Sequence, residues 1–294
     1  MEAYEDQVAL PGGPRLALRR YAGERRPFLL VHGLSSNART WDGVSRHLAE
    51  AGHEVVAVDQ RGHGRSEQAA EGYTTQQCAT DLAALIGQLG WTGDRAPVVA
   101  GQSWGGNVVV DLAARHGGLG AAALVDGGWI RLSDRFASFE QCWAALAPPV
   151  FEGMPADAMA RGLAERHADW PPGAVAGTMG NVEVLPDGTV RPWLRREHHR
   201  EIVRSLYEDD PQQLYPDVRV PVLLVPAVAE PPTEPDTAKR EAVEAALALL
   251  PDARVRWYVG ADHDLHAQQP ARLASDLRRL AERADARAQR QGAP

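Results

Sequence analysis

Lysine is almost missing from this 294-residue chain: Lys239 stands alone against 30 arginines. The bias suggests a GC-rich bacterial coding sequence and by itself carries no mechanism. Positive charge is also in deficit. The formal net charge is −8, so the clustered basic surface that nucleic-acid binders need is not expected. Cysteine is scarce too. Cys78 and Cys142 lie far apart and form no CxxC or zinc-type spacing, which excludes a disulfide framework and reads as small buried side chains or free thiols. No run approaches 18 apolar residues, so no membrane span is expected. The first residues, MEAYEDQVALPGG, are acidic and contain no apolar stretch of signal-peptide type. Together these absences lead us to expect a cytoplasmic protein with no nucleic-acid or membrane partner.

What is present is ordinary for a globular protein, with 44% hydrophobic and 24% charged residues. The length suits one large domain, or a core domain carrying an insertion. Short apolar runs alternate with helix-length amphipathic stretches. Glu5–Leu10 and Arg15–Tyr21 read as paired strands. Strands follow at Pro27–Val31, Glu54–Val58, Pro97–Ala100 and Ala121–Val125, with helices at Arg39–Ala51, Thr75–Leu89 and Trp104–Arg115. The same rhythm returns with strands at Val222–Val225 and Val255–Val259, a helix around Thr237–Leu250, and a final helix from about Pro270. Such alternation predicts a mostly parallel sheet with helices on both faces.

Residues 128–208 break the rhythm. They hold Trp129, Trp143, Trp170 and Trp193, three of four phenylalanines and three of four methionines. Most of this stretch reads as short helices, with a hairpin over Asn181–Pro192 turning at Asp187-Gly188. An insertion of this length is more than a loop. We expect a mainly helical cap over the carboxyl ends of the strands, where open α/β sheets bind ligands. The expected division is 1–127 and 209–294 as core and 128–208 as cap, with Trp129 and Trp143 as candidate substrate-binding residues. The alternative is that the aromatics of this insertion only build its own core.

Three motifs carry chemistry. Gly101-Gln102-Ser103-Trp104-Gly105 fits G-x-S-x-G, where a serine sits on a sharp strand-to-helix turn and its neighbours must be small. With 28 Gly and nine Ser, the pattern arises by chance about 0.08 times per chain, so its weight comes from the strand before it and the helix after it. His32-Gly33-Leu34 ends an earlier strand, where a second backbone N–H can join that of the residue after the serine. This makes the N–H groups of Leu34 and Trp104 the candidate oxyanion hole. A general base must come late in the chain. His263, directly after the last strand, is favoured over His266 because a base needs hydrogen-bond reach.

With these residues in view, the chain resembles the α/β-hydrolase superfamily over nearly its whole length. The matching motifs are the His32-Gly33-Leu34 loop, D-x-R-G-x-G-x-S from Asp59 to Ser66, the elbow at Ser103, and His263 with Pro270 seven residues on. The resemblance implies an eight-stranded, mostly parallel sheet and a Ser–His–acid triad. Members with an aspartate nucleophile, the dehalogenases and epoxide hydrolases, do not fit Ser103. The acid departs from the commonest pattern, a G-x-x-D after the seventh strand, because Ala227 and Glu230 stand where glycine and aspartate are usual. A second family position ends the sixth strand, and Asp126 occupies it. Asp126 is preferred to Glu230, since a rigid strand end holds an imidazole better than a Pro-rich loop.

The expected activity is cleavage of a small, fairly apolar carboxylic ester or lactone through an acyl-enzyme, without metal or cofactor. Alternatives on the same residues are a thioesterase, a C–C bond hydrolase, or a ligand-binding homologue with slow turnover.

Overall fold

The computed structural model describes residues 2–151, 153–171 and 173–292. The chain begins with the antiparallel strands β1 (Tyr4–Ala9) and β2 (Arg15–Tyr21), joined by a turn at Pro11–Pro14. There follow β3 (Arg25–Val31), α1 (Asp42–Glu50), β4 (His53–Val58), α2 (Thr75–Gln88), β5 (Val98–Gln102), α3 (Trp104–Arg115) and β6 (Ala121–Val125). Residues 128–208 contribute α4 (Phe139–Leu146), α5 (Ala156–Arg166), α6 (Ala174–Met179), the hairpin β7 (Val182–Val184) and β8 (Val190–Pro192), and α7 (Arg196–Glu208). The chain ends with β9 (Val222–Val225), β10 (Ala227–Val228), α8 (Glu234–Leu249), β11 (Ala253–Val255), β12 (Tyr258–Val259), α9 (Leu265–Gln268) and α10 (Pro270–Gly292).

Eight strands form one sheet in the order β1-β2-β4-β3-β5-β6-β9-β11. The pairs at the β1 edge, β1–β2 and β2–β4, are antiparallel and all others are parallel. The sequence explains the two-sided burial. In β3, Leu29 and Val31 join the apolar cluster on one face while Phe28 and Leu30 join the other. That is the period-two alternation of a strand covered on both sides. One face is closed by α2, α3 and α8, the other by α1 and α10. Truncating a fully buried leucine here, such as Leu29, would cost about 2–5 kcal/mol.

The register aligns the strand ends that matter. Val31 pairs with Gly101, and Gln102 with Val125, which in turn pairs with Val225. The residues that follow, His32, Ser103, Asp126 and Pro226, therefore leave the sheet along one edge. Much of residues 128–208 packs onto the main core: Trp129, Leu132, Phe139, Cys142, Leu194, Ile202 and Leu206 join the cluster that also holds Leu29 and Leu124.

One expectation needs correcting. Val255–Val259 is not a single strand but splits into β11, paired with β9, and β12, paired with β10. Pro226 separates β9 from β10 and has no N–H to give the ladder. Hydrogen bonding across the gap continues in one direction only, from Arg256 to Leu224 and from Tyr258 to Pro226. Both cysteines are buried free thiols. Among the described residues no helix is long and apolar enough to cross a membrane, and no group of three His, Cys, Asp or Glu side chains gathers as a metal site.

Candidate active site

Ser103 sits between β5 and α3 with φ 53° and ψ −126°, a conformation unusual for a residue bearing a Cβ. The turn closes because its neighbours are glycines. A Cβ on Gly101 would lie 2.1 Å from the Gly105 carbonyl oxygen, and one on Gly105 would lie 2.5 Å from that of His32. The Ser103 N–H donates to Val125 O at 2.9 Å, locking the turn to β6. Among the described residues only three non-glycine residues have positive φ: Ser35, Ser103 and Asp126. All three belong to this site. Each such conformation costs of order 1–3 kcal/mol and persists only where the surroundings enforce it.

The loop after β3 approaches closely, since a Cβ on Gly33 would lie 3.0 Å from Ser103 Cβ. His32 is fully buried and pins this loop: its Nε2 accepts from Gln60 N–H at 3.0 Å. Burial drives its pKa down to about 4, so it is neutral at pH 7. Asp59 organises the loop from Asp59 to Ser66. Its carboxylate accepts N–H bonds from Ala38 (2.7 Å) and Arg65 (2.8 Å), while burial pushes its pKa up to about 6. Among the described residues neither the Leu34 nor the Trp104 N–H has a hydrogen-bond partner within the chain.

At the end of β6, Asp126 is buried, and its Oδ2 accepts from His263 Nδ1–H at 2.6 Å. Its Oδ1 accepts the Ala227 N–H at 3.0 Å. Burial alone would raise the Asp126 pKa, but the hydrogen bond and charge of His263, then those of Lys239, hold it below the usual carboxylate range. For His263, burial acts downward and the Asp126 hydrogen bond and charge act upward. The upward effects win, so the ring titrates above its ordinary value. Half of the His263 side chain remains exposed at the site mouth. No hydrogen bond joins Ser103 Oγ to His263 among the described residues, yet both line one cavity of about 150 Å3 together with Leu34, Trp170 and Asn181. Such contacts commonly tighten only when substrate is bound.

Glu230 is exposed, and among the described residues the His263 ring bonds to Asp126 and not to it. His266 is also set apart, buried beneath the site against Trp41 with ring centroids 4.6 Å apart. The structure does not bring Trp129 or Trp143 to the Ser103 cavity. Trp129 is consumed by the core cluster, and Trp143 packs on the α4–α7 contact, 5.9 Å from the His199 ring. The aromatic that reaches the cavity is Trp170, whose Nε1–H donates to Asp262 Oδ2 at 2.9 Å beside His263. Sequence reasoning also missed Lys239, which contacts Asp126, and the Ser35–His199 hydrogen bond of 2.9 Å. A second cavity of about 420 Å3, largely apolar, shares Ser35, Ser36 and Asn181 with the first and adds Leu146, Phe151 and Met159. A larger cleft, about 1070 Å3, lies against β1 and β2 and is lined by neither Ser103 nor His263.

The model of the alpha/beta hydrolase family matches residues 28–276. The chain belongs to that family. Among curated relatives, a non-heme haloperoxidase of Rhodococcus erythropolis is 27% identical over 262 residues, covering 87% of this chain and 92% of that one. A non-heme chloroperoxidase of Streptomyces lividans is 27% identical over 273 residues, covering 85% and 90%. Among solved structures, E-2-(acetamidomethylene)succinate hydrolase superposes with a TM-score of 0.75 at 24% identity, covering 96% of this chain and 100% of that one. This last likeness bears on the fold.

Proposed function

We propose that this protein is a serine hydrolase that cleaves a carboxylic ester or lactone of a small, fairly apolar substrate through an acyl-enzyme. The observation that carries the reading is the convergence at one sheet edge of Ser103 on its strained turn and of His263 held by Asp126, with Ser103 and His263 facing a common cavity. With Nδ1–H donated to Asp126, the His263 Nε2 is left free to take a proton. Ser103 Oγ attacks the substrate carbonyl as His263 Nε2 takes its proton, and the oxygen that becomes negative is received by the free N–H groups of Leu34 and Trp104. His263 then gives the proton to the leaving alcohol, and water repeats the sequence on the acyl-enzyme.

The cavity volumes support a small substrate. The space at Ser103 is about 150 Å3 and suits a short group next to the reacting carbonyl, while the adjoining apolar 420 Å3 suits the larger apolar part. Residues 128–208, which supply Trp170, Asn181, Leu146 and Met159 to these walls, act in this reading as the cap that sets substrate choice. The test combines a fluorophosphonate probe with a panel of esters, lactones and thioesters. Ser103 should label, esters should turn over with a burst of alcohol release or lactones should open to hydroxy acids, and Ser103→Ala should fold yet lose labelling and turnover. Labelling that survives in Ser103→Ala refutes the assignment. Faster turnover of thioesters than of esters reassigns the reaction class.

A further inference from the structure

The sole lysine of the chain sits on the carboxylate that faces His263. Lys239 Nζ lies 2.9 Å from Asp126 Oδ1 and 3.0 Å from Oδ2, and also donates to the Ala227 carbonyl at 2.7 Å. Lys239 is one turn into α8, whose start is fixed by Asp236 accepting the Thr233 N–H at 2.7 Å. The ammonium is thus aimed by a helix and held by three oxygens. Asp126 itself has a positive φ of 43° and only 4% exposure, so a buried carboxylate in a disfavoured backbone conformation is held by a second cation besides His263.

We infer that Lys239 is a positioning residue that fixes the Asp126 carboxylate against His263 and, through its charge, limits how basic the His263 ring becomes. The inference rests on the proposed roles of Asp126 and His263. Three charges share one corner: His263 and Lys239 both contact Oδ2, so one carboxylate charge serves two cations whenever the ring is protonated. The charged and titratable groups around the ring are Asp126 at the end of β6, Lys239 on α8, Asp264 on its own loop, and His266 on α9; Asp236 faces Lys239 from the same helix. The acidic members favour the imidazolium and Lys239 opposes it. Without that opposition, Asp126 would hold His263 protonated further into the neutral range, where it cannot act as base. An arginine would keep the charge but has a planar fork in place of a compact ammonium with three freely directed donors.

The test uses the full chain as wild type, Lys239→Met and Lys239→Arg. The His263 ring is titrated by NMR, with its signal assigned by loss in His263→Gln. The pH profile of kcat/KM is recorded on p-nitrophenyl acetate. In Lys239→Met the ring midpoint should rise by about one pH unit, the order expected of two unit charges that share one carboxylate in a partly solvated site. The acid limb of kcat/KM should rise with it. Plateau kcat should fall about tenfold with KM unchanged, as a loosened carboxylate misorients the ring. Lys239→Arg should keep its ring midpoint close to wild type. A midpoint in Lys239→Met that is unmoved or lower overturns the inference, as does a Lys239→Arg midpoint that moves as far as that of Lys239→Met. Should Lys239→Met not fold, amine acetylation of the wild type replaces it, since no other side-chain amine exists in the sequence. Acetylation should raise the midpoint and reductive methylation, which keeps the charge, should not. The NMR titration needs no turnover. A shifted ring in a protein that hydrolyses neither esters nor lactones would sink the proposed activity and leave the Lys239 assignment standing.

Discussion

Replacing Asp126 by asparagine tests the site at its least tolerant point, because the surroundings dictate how the amide must turn. Ala227 N–H donates to Oδ1 at 3.0 Å, and Lys239 donates to the same oxygen at 2.9 Å. Both are donors, so the amide oxygen has to face them, and the NH2 group takes the position of Oδ2, where the carboxylate now receives the His263 Nδ1–H at 2.6 Å. Two donors cannot share that contact. The ring must therefore accept at Nδ1 and carry its proton on Nε2, the nitrogen that has to deprotonate Ser103. The imidazolium formed during attack also loses its counter-charge. A tautomer reversal of this kind lowers kcat by about 10⁴, equivalent to about 5.4 kcal/mol in the barrier. The substitution is nearly isosteric and keeps the Ala227 and Lys239 bonds to Oδ1, giving up only the Lys239 contact at Oδ2, so the fold should persist in circular dichroism and thermal melts. The assay is steady-state hydrolysis of p-nitrophenyl acetate beside Glu230→Gln, whose exposed carboxylate should be nearly silent. A loss below tenfold in Asp126→Asn, or a severe loss in Glu230→Gln with a mild one in Asp126→Asn, would refute the argument.

The pH dependence follows from the same contact. His263 must be neutral to accept a proton and its folded pKa lies above the ordinary 6.5, so kcat/KM should fall on the acid side with a midpoint above 6.5; a midpoint at or below that value contradicts the pairing with Asp126. Trp170→Ala should raise KM or alter acyl-chain preference by about tenfold, the scale of one lost pocket contact, while Trp143→Ala leaves both within experimental error; the reverse result would return the lining role to Trp143. Gly105→Ala puts a Cβ 2.5 Å from His32 O and 2.7 Å from Val31 O, which should cost about 3 kcal/mol and be seen as a lower melting temperature. Gly87→Ala, where nothing lies within 4 Å of the added Cβ, is the control and should melt no lower than wild type.

The parts of this molecule that were legible from sequence are those whose physics is local. The apolar runs of β3, β5 and β6 are short, buried on both faces and ended by small or polar residues, which marks them as parallel strands without any knowledge of partners. Ser103 is legible for a local reason too: a serine flanked by Gly101 and Gly105 can make a turn that no bulkier neighbours allow. Position along the chain also separated His263 from His266. The first lies in the loop that leaves β12, whereas the second lies within a short helix that turns its ring under the site onto Trp41.

What stayed hidden depends on contacts between distant segments. Trp129, Trp143 and Trp170 are alike in composition and lie in one insertion, yet of the three only Trp170 lines the Ser103 cavity. Its course is set by a bond to Asp262, 92 residues away, which no periodicity encodes. Pro226 was visible, but its consequence, the division of the last strand into β11 and β12, appears only once the β9–β10 ladder is traced. Lys239 is the most instructive case. In a chain that uses arginine at 30 other positions, its isolation resembled coding bias, and composition offers no further argument. Geometry does. A guanidinium is a planar fork, whereas the ammonium on α8 must bond two oxygens of one carboxylate and a backbone carbonyl from a single nitrogen. The residue type that looked incidental is the one whose shape the corner at Asp126 accommodates, so a rare side chain can be an informative one even where the bias that makes it rare is real.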